Sequence, residues 1–220
     1  MLAQLEKIPN KLLHVCWPPI AFLQSSFCKK TYTTIGKELV SNAGTLTLPA
    51  LAKKHLPATL GELNSEAAVQ RLWNSLVAEA LEDKENVQAF DMSTRPMDDG
   101  HKPDILIIDT SKSSQPSFRN AITMIELKHS LLRLKSTSMY EAVGQVFHRY
   151  LAIQAAQECR TTLGFIVGDG EYFYVGQLYA FEEEVALQHN RPYRLNLSNR
   201  YSIDQGTSHY CCCCWALRLS

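Results

Sequence analysis

Three charged residues stand where a folded chain rarely puts charge: Asp104 at the head of DILIID, and Glu126 and Lys128 in AITMIELK. Both segments are otherwise apolar and predict buried strands. Burying a charge costs several kcal/mol unless a partner, a metal or water compensates it. Edge residues facing solvent, joined in a surface ion-pair ladder, would be the plain explanation; convergence on a cation is the chemical one. Strand side chains alternate, so Glu126 and Lys128 leave one face with Ile122 and Met124, while Thr123, Ile125 and Leu127 take the other. If the two strands form a hairpin across TSKSSQPSFRN, its tip lies near Gln115. Asp104 is eleven residues before that point and Glu126 eleven after it, so simple pairing sets them side by side, and a bulge would shift the register by one. Opposed carboxylates destabilise a sheet. A positive group is expected between them, and a divalent cation is the economical choice.

A hard cation such as Mg2+ or Mn2+ takes oxygen ligands and keeps several waters. Two carboxylates and a backbone carbonyl would leave it open positions, as in a catalytic site. Water on such a cation becomes a nucleophile near neutral pH, and the cation offsets charge on an attacked phosphate. Lys128 would orient that water or stabilise the developing charge. Glu66 falls three residues before Val69 and seven before Trp73, at the first turn of a predicted helix. It is either a carboxylate favoured there by the helix dipole or a further carboxylate turned toward the site.

The elements that would carry these residues follow from periodicity. A helix over 64–82 is predicted by Val69, Leu72, Trp73, Leu76, Val77 and Ala80, with Asn64 or Ser65 as its cap. Strands are expected near 87–92, 104–109 and 121–127, a helix over 138–158, and a hairpin over 163–175 around Gly168-Asp169-Gly170. Strand 163–167 should run parallel to 121–127, because a helical crossover separates them. The result is an α/β fold with a mixed central sheet flanked by helices. Residues 62–180 form its core, 1–61 an accessory region with little regular pattern, and 181–220 a tail. Gln145 and Arg149 share one side of the second helix, where Arg149 would hold a phosphate or lie on a solvated face. Arg133 and Lys135, with Lys128, make either a modest basic track for substrate or an ordinary polar connection. His101 is expected in a loop, and His129 on the face opposite Lys128.

Pro103-Asp104 followed by Glu126-Leu127-Lys128 on the next strand resembles the PD-(D/E)xK (restriction-endonuclease-like) nuclease superfamily, whose core runs α-β-β-β-α-β. The likeness covers about residues 62–176. It implies a Mg2+-dependent nuclease acting on DNA or RNA, with Asp104 and Glu126 binding the metal, Glu66 joining them, Lys128 assisting the water, and Gln145 supplied by the following helix. Exonuclease-like members carry a Tyr four residues after that Gln; this chain has Arg149 there and Tyr150 next. The ELK motif, its helix and its hairpin also look like modules fused to kinase-like domains in fungal and Crinkler-type proteins. That likeness implies a dimer or a kinase-like partner domain, since 220 residues leave no room for a kinase and the chain resembles a truncated relative. The other function class is a nuclease-like fold kept as an interaction or regulatory module.

Bulk properties narrow this only partly. The 22 basic and 22 acidic residues balance, which excludes a wholly cationic nucleic-acid coat but not a local basic track. No apolar run reaches the ~20 residues of a membrane helix, so no membrane association is expected. LLHVCWPPIAFLQSSFC is apolar, but Pro18-Pro19 interrupts it and no clean cleavage site follows, so secretion is not expected. Of seven cysteines, Cys211 to Cys214 are consecutive and the others scattered. Neither pattern is a zinc spacing or a disulfide framework. An intracellular location, cytoplasmic or nuclear, fits such usage.

Overall fold

The computed structural model describes residues 29–46, 65–95, 97, 102–131, 138–157, 160–181 and 193–203. Arg133, Lys135, His101 and all seven cysteines lie outside them. The order is α1 (Lys29–Ser41), β1 (Gly44–Leu46), α2 (Glu66–Leu81), β2 (Val87–Asp91), β3 (Ile105–Asp109), β4 (Ala121–Leu127), α3 (Ser138–Ala156), β5 (Thr162–Gly168), β6 (Tyr172–Ala180), β7 (Tyr193–Ser198) and β8 (Tyr201–Ser202). The sheet runs β1-β7-β6-β5-β4-β3-β2, with β8 on β6. It is mixed, and helices cover both faces. Among the described residues no helix is long and apolar enough to cross a membrane.

The centre of the sheet is buried on both sides, which is why β3 and β4 read as nearly continuous apolar runs. Leu106, Ile108, Met124, Phe165 and Val167 pack with α1 and α3 on one face. Ile105, Ile107, Ile125, Leu127 and Ile166 pack with Val69, Trp73 and Val77 of α2 on the other. Helix α2 begins where Ser65, in an extended conformation, accepts the Ala68 N–H on its hydroxyl, which satisfies one of the first-turn donors.

The pairing of β3 with β4 is antiparallel, with Ile105 opposite Ile125 and Leu106 opposite Met124. Continued one residue outward, this register sets Asp104 beside Glu126. A shift between Ile107 and Ile108 lies on the turn side and leaves the far end of the ladder undisturbed. β5 runs parallel to β4 after the α3 crossover, with Glu126 beside Val167.

The expected boundaries at 61 and 180 do not coincide with the limits of the sheet. β1 pairs in parallel with β7 at one edge, and β7 continues from β6. Helix α1, in the stretch expected to be accessory, packs on α3 where glycines meet. A Cβ on Gly36 would run into the Tyr140 carbonyl, and one on Gly144 into that of Tyr32. Only glycine permits so close a backbone approach.

Candidate functional site

Asp104 closes the strand end that precedes β3. Its backbone carbonyl accepts from Met92 N at 2.9 Å and from Gln70 Nε2 at 3.3 Å. Its carboxylate Oδ2 accepts the Leu127 N–H at 2.6 Å, so a side chain takes a backbone donor of β4 beyond the last β3 pair. Burial, reinforced by the neighbouring Glu126 charge, pushes the Asp104 carboxyl up to about 7, against the opposing pull of the Leu127 N–H, Arg149 and Lys128.

Glu126 is 2 % exposed and both its oxygens are engaged. Oε1 accepts from Lys128 Nζ at 2.9 Å, and Oε2 accepts from Arg149 Nη1. Lys128 Nζ also donates to Gln145 Oε1 at 2.6 Å and lies 3.9 Å from Glu141 Oε1. Burial would lower the lysine pKa, but the Glu126 charge and hydrogen bond outweigh it and hold it above its ordinary value. Lys128 is therefore an ammonium at neutral pH and donates protons rather than accepting them. Arg149, 8 % exposed, also donates from Nη2 to the Lys102 carbonyl at 2.5 Å. This excludes the solvated helix face, and it gives the guanidinium protein partners where the sequence suggested a phosphate.

Asp104, Glu126, Lys128, Gln145 and Arg149 all line one cleft of about 470 Å3, with Glu66 on its wall. Glu66 is exposed at the first position of α2. Among the described residues, no three His, Cys, Asp or Glu side chains come together as a metal-holding group, so Glu66 does not complete a trio with the two strand carboxylates. His129 Nδ1 is buried without a hydrogen-bond partner.

Sequence reasoning missed Gln70, with Asn74 and Asp91 linked to it, and also Tyr32 and Glu141. Gln70 is 7 % exposed on α2 and holds the Asp104 carbonyl. Its Nε2 also donates to Asn74 Oδ1 at 3.0 Å, and Asn74 Nδ2 donates to Asp91 Oδ2 at 2.7 Å. Burial raises the Asp91 carboxyl, but hydrogen bonds from Ser93 and Asn74 outweigh it, with a net lowering. Tyr32, on α1, has its phenol pushed up by burial and feels Arg149, Glu126 and Lys128. Glu141 is the acidic residue of the first turn of α3. Gln70 carried a usable signal, three residues before Trp73 and seven before Val77 on the buried helix side; Tyr32 carried none, because its place depends on the Gly36–Gly144 crossing.

The chain matches no family model and no curated protein.

Proposed function

We propose that the protein is a Mg2+- or Mn2+-dependent nuclease that hydrolyses phosphodiester bonds in DNA or RNA, on a restriction-endonuclease-like core running α2-β2-β3-β4-α3-β5. The observation that carries this is the convergence of Asp104, Glu126, Lys128 and Gln145 on one cleft. Asp104 and Glu126 would hold the cation. The donor set suits it, since burial and the neighbouring Glu126 charge push the Asp104 carboxyl up to about 7, a cost that a bound cation would relieve, and oxygen donors are what hard cations take. When bound, the cation supplies an activated water and offsets charge on the attacked phosphate. Lys128, an ammonium steadied by Gln145, donates toward the phosphate oxygens as charge grows on them. Gln145, whose Oε1 is committed to Lys128, keeps its Nε2 for a substrate oxygen.

One observation favours a second reading. Both Glu126 oxygens are already neutralised by Lys128 and Arg149, as suits a nuclease-like fold serving as an interaction or regulatory module beside a second copy or a kinase-like partner. Incubation of the purified protein with Mg2+ or Mn2+ and plasmid, single-stranded DNA or RNA separates the two. A nuclease cuts at least one of them. Asp104→Asn then abolishes cutting while the fold persists, and Lys128→Ala slows it about a hundred- to a thousand-fold while retaining cation binding. Wild type that neither binds Mg2+ nor cuts any polynucleotide leaves the module reading.

A further inference from the structure

We infer that Arg149 is a resident counter-ion of this site, seated on Glu126 where a divalent cation must bind and obliged to swing away before the cation is held. The inference rests on reading Asp104 and Glu126 as cation ligands. Glu126 offers two oxygens, one on Lys128 Nζ and one on Arg149 Nη1. A cation at about 2.0–2.6 Å from either would meet a fixed positive charge within hydrogen-bonding distance of the same carboxylate, in a buried setting where such repulsion is poorly screened.

The two protein cations are not equally free to leave. Lys128 sits on β4 itself, two residues from Glu126, and its backbone N–H is bound to the Gly168 carbonyl at 3.0 Å. It also keeps Gln145 Oε1 as a second acceptor. Arg149 reaches in from α3 on a long side chain whose other hydrogen bond among the described residues is to the Lys102 carbonyl, two residues before Asp104. Releasing Glu126 and Lys102 frees the whole guanidinium and loosens the segment that carries the second carboxylate. The freed group still belongs to the cleft wall, where its planar fork suits a phosphate. Arg149 thus opposes cation binding in the empty cleft and is released toward substrate.

Titration calorimetry of Mn2+ into the full-length wild type and Arg149→Met tests this. The variant should bind Mn2+ at least about tenfold more tightly, since removing one nearby positive charge relieves repulsion of that order or more. Equal or weaker binding by the folded variant overturns the proposal. Because Glu126 loses a partner in Arg149→Met and folding can suffer, the second measurement uses wild type alone. The Arg149 guanidinium signals in nitrogen-edited NMR should shift and lose their restricted rotation as Mg2+ saturates the site. Unchanged signals at saturation overturn the proposal while leaving the nuclease reading intact. If neither protein binds Mn2+ or Mg2+, the cation reading fails, and this inference with it.

Discussion

Two carboxylate corners lie one strand apart, at the ends of β4 and β5, and they are compensated in opposite ways. At the end of β5, Asp169 is 3 % exposed. Its Oδ2 accepts from Leu131 N, and its Oδ1 from Glu171 N and Tyr172 N, each at 2.7 Å. Its carbonyl accepts from Trp73 Nε1 at 2.8 Å, and that indole fills the space a Cβ on Gly168 would need. At the end of β4, Glu126 is compensated by the tips of two long side chains, Lys128 and Arg149, facing a cleft. Backbone donors cannot leave without unfolding the turn or displacing the segment that carries Leu131, whereas side-chain donors can exchange for a ligand. The difference separates a carboxylate that builds the fold from one suited to chemistry.

The sharpest test of that contrast is Asp169→Asn. Whichever way the amide is turned, its NH2 group faces backbone N–H donors, leaving at least one buried donor unsatisfied. A loss of about 2–4 kcal/mol in unfolding free energy is expected, from the desolvation of unpaired donors and the lost charge-assisted bonds. Urea unfolding should show it as a lower midpoint with unchanged slope. A loss as large for Asp104→Asn would erase the distinction between the corners.

The next effect has the opposite sign. The Asp104 carboxyl is raised to about 7 in the folded protein from 3.8, so the native state holds more protons than the unfolded chain between those values. Stability from this group therefore falls as pH rises from about 4 to about 7 and stays reduced above that. Allowing for screening by water in the cleft, the penalty is about 2 kcal/mol. Asp104→Asn keeps an acceptor for the Leu127 N–H, so it should be more stable than wild type at pH 8 and show no such advantage near pH 4. Thermal unfolding of the pair across that range measures the difference directly. A bound cation should relieve the same penalty, raising the wild-type melting temperature with Mg2+ and leaving the variant's unmoved.

Much of this contrast was legible before folding, and its gaps have physical causes. Alternation and apolar runs set α2, the three strands and α3, because each buries a face that its own sequence displays. The register of Asp104 with Glu126 was readable because the loop is nearly symmetric about Gln115 and the irregularity lies toward the turn. Asp169 was legible only as part of a glycine-bearing turn. Its acceptor role depends on Leu131, which arrives from a different segment. Arg149 carried a signal that went unused. It follows Val146 by three residues and precedes Ile153 by four, so helical spacing already set it on the buried stripe. Helix α1 was hidden because KKTYTTIGKELVS is polar and threonine-rich, and its packing depends on a glycine contact with α3. β7 was hidden because its YRLNLS strand is only partly buried.

The smallest effect decides between the two roles open to Glu66. It lies on the cleft wall, yet it is exposed, and it stands at the first position of α2 next to the Ser65 cap. A carboxylate there interacts with the positive end of the helix whether or not a ligand is near. Glu66→Gln keeps the size and removes the charge. If the dipole is its whole role, the melting temperature falls by about 1–2 °C, the scale of a few tenths of a kcal/mol in a domain of this size. Mn2+ affinity then drops less than about threefold, as expected for a charge that acts through solvent rather than by ligation. A direct ligand behaves differently, because losing one anionic donor from a cation with few protein donors costs far more than a screened contact does. A drop of tenfold or more in Glu66→Gln, with the same small change in melting temperature, would move this carboxylate from the fold-building side of the comparison to the chemical side. It would then make the cleft a three-carboxylate site that forms only when the cation draws α2 inward.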